Sequence, residues 1–163
     1  SNLEHEIGKG AVELRKTAIR PVLGNAIQTC FEKARSKNID LKLADDLELE
    51  ARINVQLLEQ ALINLIDNAI KYSENGTVVA VWAARSGDEI VIAVKDEGMG
   101  IPARHLSRIF ERFYRVDKSR SRRMGGTGLG LAIVKHIAIA HQGWVSVDSN
   151  PGLGSTFKIH IPD

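Results

Sequence analysis

The sequence predicts a mixed β-sheet with helices packed on one face. Two observations carry this: most strand-like segments lie in the second half of the chain, and three segments of helical period are interleaved with them. A third, the composition, sets the scale: 163 residues, 44% hydrophobic and 26% charged, are ordinary for one globular domain able to bury a core. No internal repeat or low-complexity tract is present.

Residues 11–18 read as a short strand leading to Pro21, which is well placed to open a helix running to about Asn38. Within it Leu23, Ile27, Cys30, Phe31 and Ala34 recur at helical spacing, so Cys30 is expected in the core rather than as a reactive thiol. Residues 39–43 alternate as a strand, and Asn54 is placed to N-cap a helix through Tyr72. Residues 77–84 and 89–96 read as strands joined by a turn at Ser86-Gly87-Asp88. A helix over 129–141, ended near Gly143, precedes a last hairpin of 144–148 and 155–161, whose loop holds Asn150-Pro151-Gly152.

The formal net charge of +2 hides an asymmetry. Residues 103–123 carry eight basic side chains against Glu111 and Asp117, a segment charge of +6, which leaves −4 on the remainder. Stacking aromatics are sparse and no nucleic-acid-reading module is recognisable, so nucleic acid is not expected as a partner. A mobile cover for a polyanionic phosphate tail accounts for the same charges, with Pro102 and Gly125-Gly126 as its boundaries. The lone Cys30 has no partner for a disulfide, and no Cys/His spacing suits zinc. No run approaches the roughly 18 apolar residues of a membrane span and no signal peptide is visible. The expectation is a cytoplasmic, soluble piece of something longer.

Three segments carry chemistry. On the helix ending at Tyr72, Leu58, Leu62, Leu65, Ile66 and Ala69 fall on one arc, with Gln60, Asn64, Asp67, Asn68 and Lys71 on the opposite one. Asn is a poor interior helix residue, so two of them four apart, with Lys71 three further on, suit a hard cation and a phosphate; the plainer reading is tolerated surface amides. Ile90, Ile92, Val94 and Asp96 share a strand face, so Asp96 should point into the buried side, where a carboxylate needs donors. Gly98 and Gly100 leave space beside it for a planar base, although an Asp capping the turn toward Ile101-Pro102 would give the same pattern. Gly126, Gly128 and Gly130 match neither a P-loop nor the dinucleotide fingerprint, yet glycine-rich backbone running into a helix offers donors to a triphosphate.

In order, NLIDNAIKY (Asn64 to Tyr72), DEGMGIP (Asp96 to Pro102), RIFERFYRVD (Arg108 to Asp117) and GGTGLGL (Gly125 to Leu131) resemble the N, G1, F and G2 boxes of the ATP-binding catalytic domain of two-component sensor histidine kinases. The likeness runs from about Pro21 to the end and closes on GLGSTF at Gly152 to Phe157. It implies residues 1–20 as a linker and first strand and 21–163 as the catalytic domain, a two-layer α/β sandwich of the Bergerat type, mostly antiparallel, with a mobile ATP lid. It also implies the cofactors ATP and Mg²⁺: Asn68 as the metal ligand, Lys71 on phosphate, Tyr72 beside the adenine and Asp96 accepting its amino group. Gly98, Gly100 and Ile101 would line the base, Thr127, Gly128, Leu129 and Gly130 the phosphates, and Arg115 in the lid would reach the terminal phosphate. Phe110 and Phe113 would anchor the lid or dock it on a partner helix.

Related ATPases of the gyrase, chaperone and mismatch-repair type usually place a water-activating glutamate where this chain has Asn64. An amide accepts no proton at neutral pH, which favours keeping ATP for transfer over hydrolysing it; Asp67 on the same face and Glu59 on the helix flank do not match that glutamate but leave a substitute base open. His5-Glu6 imitates only the first letters of the family's phospho-acceptor motif, so the acceptor histidine is expected on a separate dimerisation domain. The resemblance further implies a response-regulator receiver domain as partner, a monomeric isolated domain, and a full-length homodimer anchored in the bacterial inner membrane. A hydrolysing ATPase and a non-catalytic nucleotide-sensing or docking module stay open as alternatives.

Overall fold

The computed structural model describes residues 12–44, 48–114 and 130–163. Within them the chain runs β1 (Arg15–Ala18), α1 (Arg20–Ser36), β2 (Asp40–Leu43), β3 (Glu50–Ile53), α2 (Val55–Tyr72), β4 (Val78–Ser86) and β5 (Glu89–Lys95). There follow the single-turn α3 (Ala103–Leu106), then α4 (Gly130–Ala140), β6 (Trp144–Asn150) and β7 (Gly154–Pro162). Five strands form one sheet in the order β2-β4-β5-β7-β6, with β2 parallel to β4 and every other pair antiparallel. The expected two-layer architecture is what the chain adopts.

Alternation builds the core. Register places Val81, Val94, Phe157 and Val147 in one cross-sheet row and Ala83, Ile92, Ile159 and Val145 in the next, all on the face that α1, α2 and α4 cover. Helix α2 turns Leu58, Ala61, Leu62, Leu65, Ile66, Ala69 and Ile70 onto that face, all buried. Asn54 caps it as expected, its side chain accepting the Leu57 N–H at 3.0 Å.

One strand was not foreseen. β3 pairs antiparallel with β1 in a separate two-stranded sheet, burying Ala51 and Ile53 between the exposed Glu50 and Arg52. Four residues with two apolar positions fall below the length at which alternation announces a strand. The helix ends were more legible. Asn38 takes the left-handed position after α1 (φ 56°) and Ile39 N–H returns to Ala34 O at 2.9 Å. After α4 the left-handed residue is Gln142 (φ 61°), not the glycine; Gly143 is required because a Cβ there would lie 1.8 Å from His160 O.

His141 joins α4 to the start of α2. Its Nδ1–H donates to Ile137 O at 2.8 Å and its Nε2 accepts the Asn54 N–H at 3.0 Å, which requires the neutral ring. Burial holds its pKa below the ordinary value of 6.5, outweighing the two backbone hydrogen bonds. The unfolded chain takes up this proton near pH 6.5 and the fold resists it. Stability from His141 is therefore complete above that value and is lost as pH falls below it toward the folded pKa. We predict that the thermal midpoint falls between pH 7.5 and pH 5.5 by more in the wild type than in His141→Gln, read by calorimetry in matched buffers. Parallel profiles would remove this histidine from the pH dependence.

Candidate functional site

The site lies where the end of α2, the loop after β5 and the beginning of α4 converge. Asn64, Asn68 and Lys71 stand half-buried along α2 at spacings of four and three, on one ridge. Gln60 Nε2 donates to Asn64 Oδ1 at 2.9 Å, which fixes the amide's orientation, and Asn64 Nδ2 reaches the carbonyl of Gly130 at 3.4 Å. The helix thus touches the first residue of α4, where the glycine segment ends. Arg115, Thr127, Gly128 and Leu129 lie outside the described residues.

Asp67 departs from the expectation that it shares this ridge as a reserve base. It faces α1, with both carboxylate oxygens 3.4 Å from Lys33 Nζ and the Cys30 thiol donating to Oδ1 at 3.6 Å. Burial, and then the charge of Asp67, push the Cys30 thiol up to about 12, so it is an inert core group as its spacing suggested. The helical wheel put Asp67 on the polar arc but could not say that α1 packs along that arc's edge.

At the other wall Asp96 is 4% exposed. Gly98 N–H at 2.9 Å and Ser155 N–H at 3.2 Å both donate to Oδ1, and Asp96 N–H returns to Ser155 O at 2.9 Å. Its pKa is raised from the ordinary 3.8 because burial outweighs the two backbone donors.

Each glycine around it has a packing reason of its own, beyond leaving space for a base. A Cβ on Gly98 would lie 2.4 Å from Tyr72 O, where Ser73 bridges to Gly98 in antiparallel fashion. Gly100 has φ 75° and a Cβ there would meet Asn150 O at 2.2 Å; on Gly154 it would meet Asp96 O at the same distance. Ile101 N–H donates to Ser149 Oγ at 2.7 Å and the residue packs partly buried on the core, so the loop is fastened to the β6–β7 hairpin. Tyr72 is likewise half-buried at the end of α2.

The two phenylalanines of the third segment divide the roles read for them. Phe110 packs edge-on to Phe157 with ring centroids 5.9 Å apart, and its neighbour Ile109 is buried. Phe113 is 62% exposed at φ 63°, an unusual backbone for an aromatic residue, and so contributes little to holding the segment down. Sequence reasoning missed the roles of Lys37, whose ammonium caps the end of α2, and of Ser155, whose N–H holds Asp96; Lys37 lies outside the recognised segments, and Ser155 lies within GLGSTF but acts through its main chain.

The comparisons with known proteins follow this geometry. The profile of the histidine kinase-, DNA gyrase B-, and HSP90-like ATPase family matches residues 53–163, and the chain belongs to that family. Within it the likeness is to sensor histidine kinases. The sensor-like histidine kinase SenX3 of Mycolicibacterium smegmatis is 47% identical over 133 residues, 80% of this chain and 35% of that protein. A crystal structure of full-length ShkA in complex with AMPPNP superposes with a TM-score of 0.80 at 29% identity, over 98% of this chain and 34% of that one. The mycobacterial sensor histidine kinase MprB superposes at 0.79 with 28% identity, over 91% and 97% of the two chains. The chain spans between about a fifth and a third of the length of the curated relatives it matches. It corresponds to one part of such sensor histidine kinases. Among its described residues no helix is long and apolar enough to cross a membrane.

Since ionised Asp96 is disfavoured by burial, the unliganded fold carries its cost at neutral pH and sheds it only when the carboxyl is protonated. Asp96→Asn keeps the Oδ1 acceptor and removes the charge. We expect it to hold or raise the thermal midpoint of the unliganded domain by up to a few degrees, an effect on the order of 1 kcal/mol. A midpoint lowered by several degrees would mean that the charge itself stabilises the loop.

Proposed function

We propose that the domain binds Mg-ATP and presents the γ-phosphate to a histidine on a separate dimerisation domain of the same full-length protein. The phosphoryl group then passes to an aspartate on a response-regulator receiver domain. The observation that carries this reading is Asp96: a buried carboxylate whose two backbone donors converge on Oδ1, leaving Oδ2 to accept the adenine amino group. Tyr72 and Ile101 would flank the base. Lys71 would contact phosphate, and the backbone of Thr127, Gly128, Leu129 and Gly130 would donate to the phosphate chain. Arg115 would reach the terminal phosphate as the lid closes.

Asn68 would hold the cation through its amide oxygen. Among the described residues no group of three or more carboxylate, imidazole or thiol ligands is assembled, so Mg²⁺ there would draw most of its oxygens from phosphate and water, as suits that ion. When bound, the cation neutralises charge on the phosphates. In the transfer, the bond between the γ-phosphorus and the oxygen bridging to ADP breaks, and a bond forms to a nitrogen of the acceptor imidazole. The ring's proton leaves to solvent or a neighbouring base. Asn64 favours transfer over hydrolysis: its amide is engaged with Gln60 and Gly130 and takes no proton from water, while Asp67 is turned to Lys33. Residues 1–20 would enter as linker and first strand. The isolated domain would be a cytoplasmic monomer, and the full-length protein a membrane-anchored homodimer.

Mixing the domain with γ-labelled ATP, Mg²⁺ and the acceptor domain should place label on histidine, seen as acid-labile, base-stable phosphoprotein. Steady release of free phosphate without acceptor, at a rate matching ATP loss, would instead establish a hydrolase. In the same assay Asn68→Ala should fold normally, because the side chain adds nothing to the core, and lose Mg-dependent ATP affinity by at least about tenfold. Wild-type affinity in that variant would remove the metal assignment.

A further inference from the structure

The end of α2 is held by a side chain from outside the recognisable segments. Lys37, the C-cap residue of α1, sends its ammonium to three main-chain carbonyls: Ile70 O at 2.7 Å, Lys71 O at 3.2 Å and Ser73 O at 2.7 Å. These belong to the last turn of α2 and the residue beyond it, where helix carbonyls lack intrahelical partners and the macrodipole is negative. Three convergent donors on one cation match that need, and the contact is partly buried.

The turn that Lys37 fixes forms one side of the pocket. Tyr72 O is the atom against which Gly98 packs, and Ser73 bridges to Gly98. Gly98 N–H in turn donates to Asp96 Oδ1. The following loop is tied to the same region of α1, Gly76 N–H donating to Asn38 O at 3.1 Å and Asp40 N–H to Thr77 O at 3.0 Å. A continuous chain of main-chain contacts therefore runs from the Lys37 ammonium through Ser73 and Gly98 to the Asp96 carboxylate.

We propose that Lys37 is a positioning residue for nucleotide binding, which sets the last turn of α2 against Gly98 and thereby aims Asp96 at the base. The proposal rests on the reading of Asp96 as the adenine acceptor. Lys37 does not touch the nucleotide; it acts through Ser73 and Gly98. Removing its donors frees three carbonyls and lets the turn carrying Lys71 and Tyr72 separate from the loop carrying Gly98, with β6, β7 and the rest of the sheet unchanged.

The test compares Lys37→Met with the wild type, alone and combined with Asp96→Asn, by ATP calorimetry and by amide hydrogen exchange without nucleotide. Exchange should quicken at Ser73 and Gly98 while Ile159 and Ile161 in β7 keep their protection, and ATP affinity should fall about tenfold. Added to Asp96→Asn, Lys37→Met should cost less than about threefold, because both act on one contact. Unchanged exchange at Gly98, or a uniform rise that includes β7, would overturn the proposal, as would a full tenfold loss persisting in the Asp96→Asn background. If Asp96→Asn alone leaves ATP affinity intact, the adenine reading fails, and the exchange data still decide whether Lys37 fixes the turn. Should Lys37→Met not fold, Lys37→Gln, which keeps two donors without the charge, should show the same local pattern at smaller amplitude; a uniform loss of protection there would equally overturn it.

Discussion

Burying the Asp96 carboxylate constrains more of this chain than any other single feature. An ionised group at the end of a central strand is tolerated only if its lone pairs meet donors, and here both donors are main-chain N–H groups that accept no substitution of side chain. To supply them, the loop after β5 must fold back so that Gly98 N–H faces the carboxylate, and β7 must place Ser155 directly opposite. Gly154, with φ 103° and no room for a Cβ beside Asp96 O, follows from that closeness. So does Gly98, pressed against Tyr72 O. Two glycines and one strand register thus answer to the placement of this carboxylate.

The two elements proposed to hold the phosphates, α2 and α4, are tied together at both ends. Near the pocket Asn64 on α2 reaches Gly130 at the start of α4; at the far end His141, just past α4, accepts the Asn54 N–H that opens α2. Helices held in this way slide little against each other. A ligand spanning them therefore meets a preset spacing between the Asn68–Lys71 ridge and the beginning of α4. In the third segment Phe110 and Ile109 hold the beginning to the core, while Phe113 projects into solvent. The Arg112 guanidinium lies over its ring, 5.4 Å from the centroid.

Much of this was legible in the sequence because it rests on periodicity and on residues with narrow chemical uses. The strand period aimed Asp96 inward, the Asn54 cap fixed where α2 begins, and the wheel of α2 separated core from ridge. Less was legible where a residue acts through neighbours brought in by tertiary packing. Lys37 reads as one more surface lysine at a helix end, and only the approach of α1 to the end of α2 gives it three carbonyls. Asp67 reads as part of the ridge until α1 supplies Lys33 and Cys30. β3 escaped notice because two apolar positions in four residues carry almost no periodic signal, and its strand character depends on β1 lying beside it.

The account rests on Asp96 being held poised, at a cost, for a donor that the empty domain lacks. Titrating its carboxyl carbon by NMR, free and with saturating ADP or GDP, measures this most directly. The account predicts a pKa above the ordinary 3.8 in the free domain, as burial dictates, and a marked fall on binding ADP, whose amino group stabilises the charged form, with no such fall on GDP. An unchanged pKa on ADP binding, or an equal fall with both nucleotides, would contradict it.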